Sequence, residues 1–187
     1  MLRKFYHISG LVFPLIIYCY SREAAIYAAG SIFIAILLID LCRLRMPALN
    51  RGLFDKFPTL FKKEEFGRVS GSPYFLGGVL CSLLFFSPGA ASGGIILLSV
   101  GDMSASLAGE RIGRHSVFGK TLEGSLSFFI TGTAALFIFN SAVGAGLTVV
   151  SILTATAVCS VIELLPIGVN DNLLIPPVGS LLLALFL

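Results

Sequence analysis

Gly101 to Ser125, GDMSASLAGERIGRHSVFGKTLEGS, joins two apolar runs through a polar passage. The stretch starts inside the first run with Asp102, steps through small residues to Gly109 and Gly113, and turns basic at Arg111, Arg114, His115 and Lys120. It then enters the second run at Leu126 by way of Lys120-Thr121-x-Glu123-Gly124-Ser125. A plain connector needs neither an acid inside an apolar run nor a glycine ladder beside clustered cations. This stretch is the candidate active site.

The surrounding chain is a membrane protein by composition. Of 187 residues, 56% are hydrophobic and 12% charged, whereas a soluble domain carries roughly 25% charged residues. The apolar residues form continuous runs rather than the alternating pattern of barrel strands, so helices are the expected spanning element. Nothing in the charge pattern offers a nucleic-acid surface. Cys19, Cys42, Cys81 and Cys159 lie in or beside apolar runs without metal-like spacing and read as buried free thiols. The opening, MLRKFYHISGLVFPLIIYCY, is basic and then apolar; with no small-x-small cleavage site after it, we read it as a retained first span.

A spanning helix needs about 20 apolar residues. Seven runs qualify approximately, at 5–20, 24–41, 73–87, 90–108, 126–141, 144–164 and 173–187, all within one domain covering residues 1–187. With the N-terminus in the cytoplasm, 12 of the 13 Lys and Arg residues fall on the cytoplasmic side and only Arg22 on the other. The positive-inside rule thus predicts an all-α, polytopic bundle with its N-terminus inside and its C-terminus outside. In a bacterium this would be the inner membrane. The basic segment from Cys42 to Ser72 also carries Leu53, Phe54, Phe57, Leu60, Phe61 and Phe66, a mixture that suits the membrane surface.

This orientation gives the acids meaning. Asp40, Asp102, Glu123, Glu163 and Asp171 come from different runs and fall at one cytoplasmic depth. Asp102 is expected about six residues, or roughly 9 Å, inside its helix end. A charge inside a span costs at least about 2.5–3.5 kcal/mol and usually has a partner or a function. Asp40 and Glu163 can be helix-end acids paired with nearby cations; Asp102 fits that account poorly. Ala105, Ser106 and Gly109 share its helical face, and Gly113 continues the series, leaving room for a close-approaching helix or ligand. Cations beside unobstructed backbone N–H groups suit phosphate, and nearby carboxylates suit Mg²⁺. Neither a Walker motif nor a kinase-type GxGxxG occurs. His115 reads as a phosphate contact or surface residue, and His7 as an interfacial histidine.

The pattern Asp102-x-x-Ala105-x-x-x-Gly109-x-x-x-Gly113-Arg114, followed by Lys120-Thr121-x-Glu123-Gly124-Ser125, resembles the CTP-dependent membrane lipid kinases. These include dolichol kinase, phytol kinase and the CTP-using diacylglycerol kinases, with phosphatidate cytidylyltransferases as more distant kin. Arg3-Lys4-x-x-His7-x-x-Gly10, Asp40-x-x-Arg43 and Asn170-Asp171-Asn172-Leu173-x-Ile175-Pro176 agree with the kinase branch. Asn170 stands where that branch commonly has Asp, and Asp40 where glutamate is commoner. The long cytidylyltransferase signature is missing, which favours the kinase.

The resemblance implies CTP- and Mg²⁺-dependent phosphorylation of a lipid alcohol at the cytoplasmic face. The expected catalytic residues are Asp102, Lys120, Glu123, Asp171 and His7, with Asp171 and His7 the candidates for the base. Ser106, Gly109, Gly113, Arg114, Lys120, Thr121, Gly124, Ser125 and Asn172 would hold the nucleotide. Asp102, Glu123 and Glu163 would hold metal. Partners are the lipid alcohol, CTP and the membrane, with no nucleic acid and with a homodimer left open. Two rivals stand: a cytidylyltransferase making a CDP-lipid, and a small transporter or non-catalytic subunit, although transport sites usually sit nearer the midplane.

Overall fold

Polar side chains set where the helices begin. Ala24 N–H donates to Ser21 Oγ (3.1 Å), Gly124 N–H to Thr121 Oγ1 (3.1 Å), Ser151 N–H to Thr148 Oγ1 (3.1 Å) and Asn172 N–H to Asn170 Oδ1 (3.0 Å). Each cap satisfies a donor that a helix end leaves open, and where water is scarce an open donor is costly. Pro47 and Pro88 occupy first-turn positions, where a missing N–H costs nothing.

The computed structural model describes residues 7–57 and 63–185. Arg3, Lys4, Lys62 and the outer ends of the first and last runs lie outside them. The helices are α1 (Ser9–Cys19), α2 (Arg22–Arg45), α3 (Pro47–Lys56), α4 (Gly71–Phe85), α5 (Pro88–Ile112), α6 (Leu122–Val143), α7 (Val149–Leu164) and α8 (Asp171–Ala184). Seven of these correspond to the seven apolar runs, and α3 lies in the basic segment. Three (α2, α5 and α6) are long and apolar enough to cross a membrane; α1, α4, α7 and α8 are shorter apolar helices. A small antiparallel hairpin, β1 (Ser116–Val117) with β2 (Lys120–Thr121), stands where a loop was expected, pairing Ser116 with Thr121 and Val117 with Lys120.

Burial places α5 at the centre: 67% of its apolar window is buried, against 17% for α2 and for α6. Small residues permit this. A Cβ on Gly94 would strike the Pro176 carbonyl and Ser180 of α8, and one on Gly101 would lie 2.8 Å from the Phe128 ring of α6. The helix also departs from regular geometry, widening to a π turn over Leu97–Asp102 before α geometry resumes at Met103. Asp102 therefore sits where the helical register changes. The α segment beyond it runs 10 residues to Ile112, so Asp102 is deeper from its helix end than its place in the apolar run implied.

The α6–α7 connection is likewise longer than expected. Helix α7 starts at Val149, and Asn140 ties the preceding turn, donating to the Leu147 carbonyl (3.0 Å) and accepting its N–H (2.9 Å). The cysteines are all free, but only Cys159 is buried; Cys19 and Cys42 are exposed on α1 and α2. Apolar runs put outward faces as well as inward faces into helices, so lying in a run does not imply burial.

Candidate active site

At one end of the bundle the helices meet around a cavity of about 540 Å³. One wall is the face of α5, bearing Asp102, Ser106, Gly109 and Glu110 at helical spacing. The hairpin and the start of α6 supply Gly119, Lys120, Thr121 and Gly124. Glu163 closes from the end of α7, Asp171 and Asn172 from the start of α8, and His7 from just ahead of α1.

Thr121 organises the contact between α5 and α6. Its hydroxyl caps α6 and lies beside the glycines of both elements. A Cβ on Gly109 would stand 2.9 Å from that hydroxyl oxygen, and one on Gly124 would stand 2.8 Å from the Ala105 carbonyl. Both glycines are therefore required for close approach while also lining the cavity. Gly113 packs against Thr121 without lining it.

Lys120, one residue before the cap, reaches inward from β2. Its ammonium donates to Asp171 Oδ2 (2.8 Å) and to the Glu163 main-chain carbonyl, and lies 3.1 Å from Glu163 Oε1. Burial would push this ammonium down, but the Asp171 and Glu163 carboxylates outweigh it and hold its pKa above the ordinary 10.5. Glu163 is positioned in turn by Ser125, whose hydroxyl donates to Glu163 Oε2 (3.2 Å). Ser125 thus acts behind the wall rather than on it.

On the opposite side, His7 Nδ1 lies 3.7 Å from Asp102 Oδ2, each side chain 17% exposed. Phe75 of α4 meets the imidazole edge-on, with ring centroids 5.6 Å apart. The cavity therefore has an acid–imidazole side and an acid–ammonium side.

Most of the residues expected from the sequence converge here; several do not. Glu123 is the main departure. As the second residue of α6 after its cap, it is rotated away from Gly124, which faces α5. Its Oε1 instead lies 2.7 Å from His115 Nδ1, and its carboxylate accepts the His115 backbone N–H (3.3 Å). Asp102, Glu123 and Glu163 are therefore not gathered as one metal set, and among the described residues no three His, Cys, Asp or Glu side chains form a ready metal cage. Arg114 is exposed and off the cavity wall. Asn170 caps α8 through its side-chain oxygen, a role that Asn and Asp fill equally well. Asp40 pairs with Arg43 away from the cavity (2.6 Å).

Glu110 and Met103 line the cavity without having been singled out. Glu110 follows Ser106 by four residues, so the periodicity that marked Ser106 also reached it.

No family model and no solved structure matches the chain. Sequence similarity to characterised proteins is direct. The chain is 31% identical over 148 residues to CTP-dependent diacylglycerol kinase 1 of Eremothecium gossypii, covering 73% of this chain and 45% of that protein. It is 30% identical over 190 residues to phytol kinase of Synechocystis, covering 97% and 77%. It is 35% identical over 109 residues to dolichol kinase of Saccharomyces cerevisiae, covering 55% and 20%. The chain thus spans less than half of the two fungal kinases but most of the cyanobacterial one. It belongs to the family of membrane lipid kinases that includes CTP-dependent diacylglycerol kinase, dolichol kinase and phytol kinase.

Proposed function

We propose that this chain transfers the γ-phosphoryl group of CTP to the hydroxyl of a membrane lipid alcohol, of polyprenol, phytol or diacylglycerol type, in a Mg²⁺-dependent reaction at the cytoplasmic face. The observation that carries the reading is the cavity itself, with Lys120 held between Glu163 and Asp171 opposite the His7–Asp102 pair. Seven spans, N-terminus inside, put this end of the bundle in the cytoplasm, supported by 12 of 13 cations on that side.

In this reaction the lipid oxygen forms a bond to the γ-phosphorus, the bond from that phosphorus to the β–γ bridging oxygen breaks, and CDP leaves. Lys120 balances charge on the phosphoryl group, and the Gly109–Thr121–Gly124 surface gives the triphosphate room to approach backbone. His7 takes the hydroxyl proton, its ring oriented by Asp102 and Phe75; contact distances in an unliganded site tighten with substrate. Asp171 is less suited to that task because Lys120 already neutralises it.

Asp102, Glu163 and Asp171 line one cavity without forming a ready cage; Mg²⁺ takes one or two carboxylates with phosphate oxygens and water, so Asp102 with one of the others would be enough to hold it. Bound there, Mg²⁺ would neutralise phosphate charge. The rest is positioning and electrostatics, as in phosphoryl transfer generally. Purified protein given CTP, Mg²⁺, a panel of lipid alcohols and, separately, phosphatidate tests the reading: a phosphorylated lipid and CDP are expected from the alcohols, and a CDP-lipid with release of pyrophosphate from phosphatidate would replace kinase with cytidylyltransferase.

A further inference from the structure

A buried charged knot stands outside this chemistry. Arg43, wholly buried, donates from Nε to Asp40 Oδ1 (2.6 Å), from Nη1 to Asn50 Oδ1 (3.0 Å) and the Glu65 carbonyl (3.0 Å), and from Nη2 to the Arg68 carbonyl (2.8 Å). The second Asp40 oxygen accepts the Ser70 N–H (2.7 Å), and Asn50 Nδ2 donates to the Phe66 carbonyl (2.7 Å). One guanidinium therefore ties both ends of the segment 46–70 to α2. An apolar plug of the same volume would often stabilise a buried site as well or better; a buried ion pair's better-attested use is to specify one arrangement.

The knot reaches the cavity wall. Gly71 N–H donates to Glu65 Oε1 (2.9 Å), and a Cβ on Gly71 would lie 3.5 Å from that oxygen and 3.8 Å from Asn172 Nδ2. Gly71 also opens α4, whose Phe75 abuts His7. Further along α4, a Cβ on Gly78 would stand 2.5 Å from the Asn172 carbonyl and 3.1 Å from that of Leu173. Helix α4 is thus wedged against two residues of the site, and its starting point is set by the knot.

We infer that Asp40, Arg43 and Glu65 are positioning residues. They fix Asn50 of α3 and the residues from Glu65 to Ser70 and, through Gly71 and α4, hold Asn172 and His7 at the cavity wall. The inference rests on the phosphoryl-transfer reading for its kinetic consequence only; the geometric consequence stands apart from it.

Both can be measured on one set of variants. Arg43→Lys keeps the charge but loses the planar fork that serves several acceptors. Glu65→Ala removes the acceptor of the Gly71 N–H, and Glu65→Gln retains an acceptor oxygen. Spin labels at Arg51 and Val169, both exposed, on a background with the native cysteines replaced, report the segment's distance from the start of α8. The expected result is one narrow distance distribution for the wild type and Glu65→Gln, and broad ones for Arg43→Lys and Glu65→Ala. Those two should lose roughly tenfold or more in kcat, with KM for CTP changed less than about threefold, while remaining helical and monodisperse. Unchanged distances in Arg43→Lys and Glu65→Ala would overturn the proposal, as would broadened distances at wild-type kcat. If the wild type itself turns over no lipid alcohol, the phosphoryl-transfer reading falls, and the distance measurement alone decides whether the knot holds the wall.

Discussion

Replacing Lys120 with Gln separates chemistry from architecture. The substitution removes the ammonium that stands 2.8 Å from Asp171 Oδ2 and 3.1 Å from Glu163 Oε1. Two costs follow, and they differ in size. Folding loses one cation between two acids: the Asp171 side chain is 33% exposed and screened, whereas Glu163 is 8% exposed and is left without its counter-charge. Exposed pairs are worth under about 1 kcal/mol and broken buried pairs about 3–5 kcal/mol, so this mixed pair should cost roughly 1–3 kcal/mol. Turnover loses stabilisation of developing phosphoryl charge, typically about 2.7–4 kcal/mol, or 10²–10³ in kcat. The double variant Lys120→Gln/Glu163→Gln, which removes the buried charge left unpaired, should regain part of the stability and none of the turnover. The assays are a thermal melt in detergent and initial rates of phosphoryl transfer from γ-labelled CTP. Arg51→Gln, exposed on α3, is the control for a cation lost outside the cavity. If Lys120→Gln and Arg51→Gln have equally small effects on kcat, Lys120 is a topology signal and the phosphate-binding role is refuted.

Other consequences of the site can be read independently. His7→Gln should lower kcat by about 10²–10⁴ with KM for CTP little changed, as loss of a general base does; wild-type kcat in this variant would remove His7 from the proton transfer. Asp102→Asn should leave helicity unchanged while turnover falls by orders of magnitude, and full turnover at saturating Mg²⁺ would exclude it from the mechanism. Lys120 has its pKa raised above 10.5 in the fold, so its contribution to stability is complete below that value and lost as pH rises through the higher folded pKa. Its ion pairs should therefore leave the melting temperature flat between pH 7 and pH 9 and depress it only in strong alkali; a loss between pH 7 and pH 9 that disappears in Lys120→Gln would contradict the pairing. Phe118 has φ 50° at the hairpin tip, a left-handed backbone that costs a bulky residue roughly 1–2 kcal/mol and suits Asn better. Phe118→Asn should raise the melting temperature, and a lowered one would show that the ring stabilises the fold.

The parts of the site legible in sequence are those set by local periodicity. Asp102, Ser106 and Gly109 share a face because the segment beyond the π turn is a regular α-helix, and that follows from spacing alone. Lys120 and Thr121 were legible as a motif, but their division of labour was not. The hairpin sends Lys120 inward and makes Thr121 the cap, and from the cap the helix carries Glu123 outward to His115. A rotation of one helical position thus removed an expected metal ligand. The π turn at Leu97–Asp102 left no mark in the hydrophobic pattern, since every residue before Asp102 there is apolar or small. Asp40 and Arg43 were visible as a pair three residues apart. Their partners Asn50, Glu65, Arg68 and Ser70 are distant in sequence, and tertiary contacts of that kind have no sequence period.

The central claim is that the γ-phosphoryl group of CTP passes to a lipid hydroxyl, and the direct measurement is the fate of two labels. Purified protein in lipid is incubated with Mg²⁺, lipid alcohol and phosphatidate, once with γ-labelled CTP and once with α-labelled CTP. The account predicts that the γ label enters the lipid fraction while the α label stays in water-soluble CDP. Recovery of the α label in lipid would show a nucleotidyl transfer and contradict the account.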